Sequence, residues 1–237
     1  MKRMLVIIFV VFCGFIFYSC STYSILVPAP APTKINNETT KMTVDNITVT
    51  LKTNQWNGNS EVNYYVTPLL ITIDNNTDTS LKISYQQFAL IAPDGERFSA
   101  LPPFEIRGTV EKPLLLGGYG PFSSPFYCNN FFVAPWYSGI YMGFGAFDGP
   151  FYYDPFYYNN YYGYWNSIPY KLPTQKMLLE ALPEGVLKKN GTMTGFLYFQ
   201  KVHYSETRIV KFRFDLINVK NGNAFGTLEI PLDVLEK

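Results

Sequence analysis

Ile209-Val210-Lys211-Phe212-Arg213-Phe214-Asp215-Leu216 alternates apolar with charged or polar positions, and a period of two belongs to a strand, not a helix. It sends Val210, Phe212, Phe214 and Leu216 to one face and Lys211, Arg213 and Asp215 to the other. One face is therefore covered and one is wet, as in an antiparallel sheet packed on a single side. Segments 42–51, 62–73, 80–85, 87–91, 97–101, 195–199 and 227–232 are similarly short and rich in β-branched or aromatic residues. Six to eight such strands predict an all-β antiparallel β-sandwich.

The punctuation agrees. Asp74-Asn75-Asn76-Thr77-Asp78 is a turn cluster, and Pro93-Asp94-Gly95-Glu96 between apolar runs is a hairpin signal. One short helix is predicted over 174–182, with Met177, Leu178, Ala181 and Leu182 on one face and Pro183 and Gly185 as its stop. Leu70, Phe88, Leu197, Phe212 and Phe214 are the core candidates.

The chain opens with Lys2 and Arg3, a run of about fifteen apolar residues and then Ser19-Cys20, the form of a secretory signal spanning 1–19. The ending Phe17-Tyr18-Ser19-Cys20 resembles the lipobox of bacterial lipoproteins. That resemblance implies that Cys20 is the lipid attachment site, that the peptide before it is removed and that the new N-terminus is acylated in turn. Ser21 in place of Asp resembles the outer-membrane sorting pattern, so the implied location is the bacterial cell envelope, lipid-anchored, with the outer membrane ahead of the inner. The other reading is an uncleaved anchor running from Met4 through Val27, since a span needs roughly 20 residues. Cys13 follows bulky Phe12 and is the poorer acceptor. Residues 20–40 read as a lipidated N-terminus and tether, because Val27-Pro28-Ala29-Pro30-Ala31-Pro32 favours extended backbone and 36–40 offers nothing to bury.

Residues 117–170 break the strand pattern. Of the chain's 20 Phe, 19 Tyr and 3 Trp, 22 fall here, beside two charges, Asp148 and Asp154, and no Lys or Arg. Gly and Pro are too frequent for a helix, so the stretch reads as a long aromatic-rich irregular insertion. It divides the sandwich into 41–116 and 171–237, which together hold about 140 residues, the size of one domain. Three readings stand side by side: a loop packed over the sheets, a contact surface, or a segment that associates with itself. Tyr and Trp supply large rigid contact area, which makes Trp136, Tyr153, Tyr158, Tyr162 and Trp165 the candidate contact surface. Its partner would be a glycan, lipid headgroups or another envelope protein.

The segment 69–77, followed by Phe88-Ala89-Leu90 and Asp94-Gly95, resembles the first half of immunoglobulin-like domains of exported bacterial proteins. Ala181-Leu182-Pro183-Glu184-Gly185-Val186-Leu187, with Gly191 and 195–199, is similar to uncharacterised bacterial lipoproteins of this shape. The resemblance implies a fold and carries no catalytic residue.

Chemistry is sparse. His203 is the one histidine, between Val202 and Tyr204 where a strand ends, and no G-x-S-x-G sequence occurs. After processing Cys128 is left beside the lipidated Cys20, so the body has no internal disulfide. Asp74 to Thr79 has the look of a calcium loop but lacks the sixth-position Gly and the twelfth-position Glu, where Tyr85 stands. Asn37, Asn46, Asn75 and Asn190 head Asn-x-Thr triplets that matter only on a eukaryotic secretory route. No catalytic residue, metal ligand or cofactor is assigned. Without residues 1–19, 17 basic face 18 acidic residues, a balance that leaves no electrostatic footprint for nucleic acid. The expectation is a membrane-anchored envelope lipoprotein acting as a non-enzymatic binding or structural module. The alternative is an enzyme-accessory or hydrolase-like activity.

Overall fold

The computed structural model describes residues 22–110, 127–133 and 172–237. Their strands are β1 (Ser24–Pro28), β2 (Thr39–Val44), β3 (Ile47–Lys52), β4 (Val66–Asn75), β5 (Leu81–Ile83), β6 (Phe88–Ile91), β7 (Arg97–Leu101), β8 (Tyr127–Val133), β9 (Gly185–Gln200), β10 (Ile209–Asn218) and β11 (Ala224–Glu236). Two short helices join them, α1 (Val62–Tyr65) and α2 (Gln175–Glu180). The strands pair in the order β1-β11-β10-β6-β7-β9-β4-β3-β2, while β5 bridges β10 and β9, and β8 lies along β9. All these pairings are antiparallel.

The sheet folds over on itself at β7, which touches β9 through Ala100–Phe199 and Leu101–Tyr198. This makes the all-β sandwich. One layer contributes Phe88, Phe212, Phe214, Leu228, Ile230 and Leu232 to the core, and the other contributes Ile47, Val49, Leu51, Leu69, Ile71, Ile73, Met193, Leu197 and Phe199. Phe88 stacks on Phe214 with ring centroids 4.4 Å apart, and Phe199 meets Phe212 edge-on at 6.3 Å. Burial along β10 follows the period of two that its sequence predicts. The hairpin at 92–96 is also present: Ala92 N donates to Glu96 O, Gly95 N donates to Ala92 O, and Gly95 takes a φ of +93°.

Four expectations change. The strand expected over 42–51 is a hairpin, β2–β3, because Asp45 and Asn46 adopt φ values of 48° and 62°, the left-handed pair a two-residue turn needs and these two residues tolerate. The strand expected to begin at Val62 begins at Val66; a helical turn precedes it and points Val62 inward. Within the expected tether, Ser24–Pro28 is an edge strand paired to Leu232–Glu236, so its backbone groups and Leu26 are used by the sandwich. Within the insertion expected to be irregular, Tyr127–Val133 is a strand on β9, and Phe131 reaches the core.

Candidate functional site

Cys20 and the five aromatic residues Trp136, Tyr153, Tyr158, Tyr162 and Trp165 lie outside the described residues. What the structure does describe is where the aromatic segment is rooted, on the outer face of β4 and β9. That face carries a second apolar layer: Val62, Val66, Leu70, Ile106, Val110, Leu172, Met177, Ala181, Phe196 and Tyr198, with Trp56 and Leu101 at its border. Leu70, a core candidate, belongs to this outer layer, whereas Phe88, Leu197, Phe212 and Phe214 sit between the sheets.

The layer is built around aromatic edges and α2. Trp56 meets Phe196 and Tyr198 edge-on at 5.4 and 5.9 Å, and its Nε1 donates to Asn59 O at 2.9 Å. Thr174 starts α2 by accepting a hydrogen bond from Met177 N on its Oγ1 at 3.2 Å, the usual task of a threonine at this position. Tyr198 Oη then donates to Met177 O at 3.1 Å and Tyr85 Oη to Leu182 O at 2.6 Å, which fastens the helix and its exit to the sheet. Gly195 makes this approach feasible, since a Cβ there would stand 2.8 Å from the Leu182 backbone. Leu182 N donates to Phe196 O at 2.8 Å in that space.

Inside the layer Lys176 Nζ lies 2.6 Å from Glu180 Oε1, with both side chains buried. Burial pushes the Glu180 carboxyl above the usual carboxylate range, and the hydrogen bond and charge of Lys176 pull it part of the way back. The pair stands one helical turn apart, a spacing legible in the sequence that sequence reasoning passed over.

Two hydrogen bonds fix the residues that flank the aromatic segment on this face, and its own strand β8 pairs with β9. Leu172 N donates to Gly108 O at 3.0 Å and so brings together the residues that flank it. Tyr65 Oη donates to Thr109 O at 2.6 Å. Strand β8 runs along β9 from Thr194 to Gly185. At Gly185 a Cβ would sit 1.9 Å from Phe132 O, so only glycine admits β8 at that distance.

The remaining chemical candidates have structural employment. Burial pushes the Cys128 thiol up to about 12, leaving it protonated and a poor nucleophile near neutrality. His203 is exposed, and its carbonyl accepts from Glu206 N and Thr207 N in the turn leading to β10. Asn75 is fully buried, donates through Nδ2 to the carbonyls of Thr79, Leu187 and Lys188, and accepts from Thr77 N and Oγ1. The Asp74–Thr79 cluster is thus a turn clamped to β9. Among the described residues no three His, Cys, Asp or Glu side chains converge as a metal site would require, and no helix is long and apolar enough to cross a membrane. Family models, curated proteins and solved structures contain no match to this chain.

Proposed function

We propose that this chain is a lipid-anchored lipoprotein of the bacterial envelope, whose immunoglobulin-like sandwich mounts an aromatic contact segment and works by binding rather than by catalysis. The observation that carries the reading is the fastening of that segment's flanks, through the Gly108–Leu172 and Tyr65–Thr109 hydrogen bonds, together with the pairing of its strand β8 on β9. A segment this rich in Tyr, Phe and Trp is presented by a rigid body, and rigid aromatic side chains gain contact area at small entropic cost. The partner is another envelope protein or a glycan, and Cys20 carries the lipid.

Two measurements test this. Mass spectrometry of the membrane-extracted protein should find an acylated Cys20 as the first residue; an intact Met1 or an unmodified Cys20 refutes the anchor. Exchanging Trp136, Tyr153, Tyr158, Tyr162 and Trp165 together for Ser should leave the unfolding midpoint of the sandwich in place and abolish retention on isolated envelope fragments. Undiminished retention refutes the contact role.

A further inference from the structure

Thr22 and Tyr23 are already part of the sandwich. Tyr23 N donates to Lys237 O at 3.1 Å, Lys237 N donates to Tyr23 O at 2.9 Å, and Thr22 Oγ1 donates to Glu236 Oε1 at 2.6 Å. Cys20 is two residues away from Thr22, and two residues of extended chain reach about 7 Å at most. An acyl group on Cys20 therefore holds one particular end of the sandwich against the bilayer, with too little chain between them for the body to turn another end toward it.

That end has a composition of its own. Around Ser24, Lys201 Nζ donates to the Ser24 carbonyl at 3.0 Å, Tyr204 N donates to Ser24 Oγ at 2.8 Å, and the Arg208 guanidinium lies 3.6 Å over the Tyr204 ring. Tyr23 meets Tyr64 edge-on at 5.8 Å, and α1 leaves both Tyr64 and Tyr65 exposed. Ile209 and Leu235 are exposed beside them. Tyrosines with a wet hydroxyl and an apolar ring are the side chains that settle at headgroup depth. The charges of the segments that carry them, Lys201, Arg208 and Lys237 against Glu61, Glu206 and Glu236, balance, so attraction to anionic lipid is not what selects the surface. The opposite end also exposes Val219 and Phe225; distance from Cys20 decides between the two.

We propose that the end rimmed by Tyr23, Tyr64, Tyr65 and Tyr204 seats on the headgroup layer of the bilayer that holds the Cys20 acyl chains. This rests on the acylation of Cys20.

The test uses the full lipidated chain in vesicles of phosphatidylethanolamine and phosphatidylglycerol containing a headgroup-quencher lipid. A fluorophore is attached to Glu206→Cys in the turn beside Tyr204 or to Lys220→Cys in the β10–β11 turn, roughly 30 Å away along a ten-residue strand. Both labelled chains also carry Cys128→Ala, which removes the free native thiol. The expected result is co-flotation with the vesicles and quenching several-fold stronger at 206 than at 220. Co-flotation with equal quenching, or stronger quenching at 220, overturns the seating and leaves the anchor standing. Failure to float, with Cys20 unmodified by mass, overturns the anchor and the seating with it.

Discussion

Along β10 burial alternates from Val210 to Leu216, whereas along β9 the five residues from Gly195 to Phe199 are all buried. β10 has the core on one side and water on the other. β9 has the core on one side, through Leu197 and Phe199, and the outer layer on the other, through Phe196 and Tyr198. Covering the second face of a strand removes the alternation that made the first one readable. The one-sided strand thus declares both its secondary structure and its orientation, while the two-sided strand declares only that it is apolar.

The largest effects should come from the two faces of β9 itself. Phe199→Ala removes a ring from between the sheets, and a cost of about 3–5 kcal/mol is expected, read as a lowered urea midpoint of the whole domain. Phe196→Ala removes an equal area from the outer layer, where Trp56 and α2 rest on it. Its first consequence should be accelerated amide exchange across 176–180, ahead of any global change. If both substitutions lower the midpoint equally and the amides of α2 stay protected, the outer layer is one cooperative unit with the core and the contrast between the faces fails.

The same contrast explains what could be read beforehand. Val210 to Leu216, the Asp94-Gly95 hairpin and helix 174–182 carry local signals, namely a period of two, a left-handed glycine and an apolar face closed by Pro183; the strand and the hairpin stand where those signals put them, and the helix is shorter, Gln175–Glu180, because Ala181 turns extended to bridge Phe196. Elements fixed by partners distant in sequence carried no such signal. Strand β1 exists because Leu232–Glu236 offers it an edge, more than 200 residues away, and its prolines read as linker. Strand β8 exists because Gly185 leaves room for Phe132, and an aromatic surrounding hid its pattern. The root of the candidate site was illegible for the same reason: Tyr65, Gly108 and Leu172 are brought together by the fold alone.

A smaller effect should come from Tyr198→Phe, which keeps the ring against Trp56 and removes the hydrogen bond to Met177 O. The Met177 carbonyl is left without that donor in a buried place, and about 1 kcal/mol is expected from urea unfolding. Tyr198 bonds the outer layer through a side chain of β9 to the backbone of α2, so the loss should again appear first in α2 exchange. An unchanged exchange rate there would show that packing alone seats the helix.

The last and smallest effect concerns the charge that the outer layer encloses. The Glu180 carboxyl is pushed upward by burial, against the opposing pull of Lys176, and its Oε2 is buried without a hydrogen-bond donor. Its folded value therefore lies above its unfolded one, so over the interval between them the folded chain binds the proton more tightly. Stability attached to this group is greatest at or below the ordinary carboxylate value, about pH 4, and declines as pH rises toward the raised value. Gln in its place does not titrate and keeps nearly the same shape and one donor–acceptor pair. The difference in melting temperature, Glu180→Gln minus native, should therefore shift in favour of the variant as pH is raised from about 4 to 7, whatever its starting sign. A shift in favour of the native protein would mean that the pull of Lys176 outweighs the burial of the carboxyl. The outer layer would then hold a stabilising ion pair, and its energetics would differ from those of the all-apolar core between the sheets.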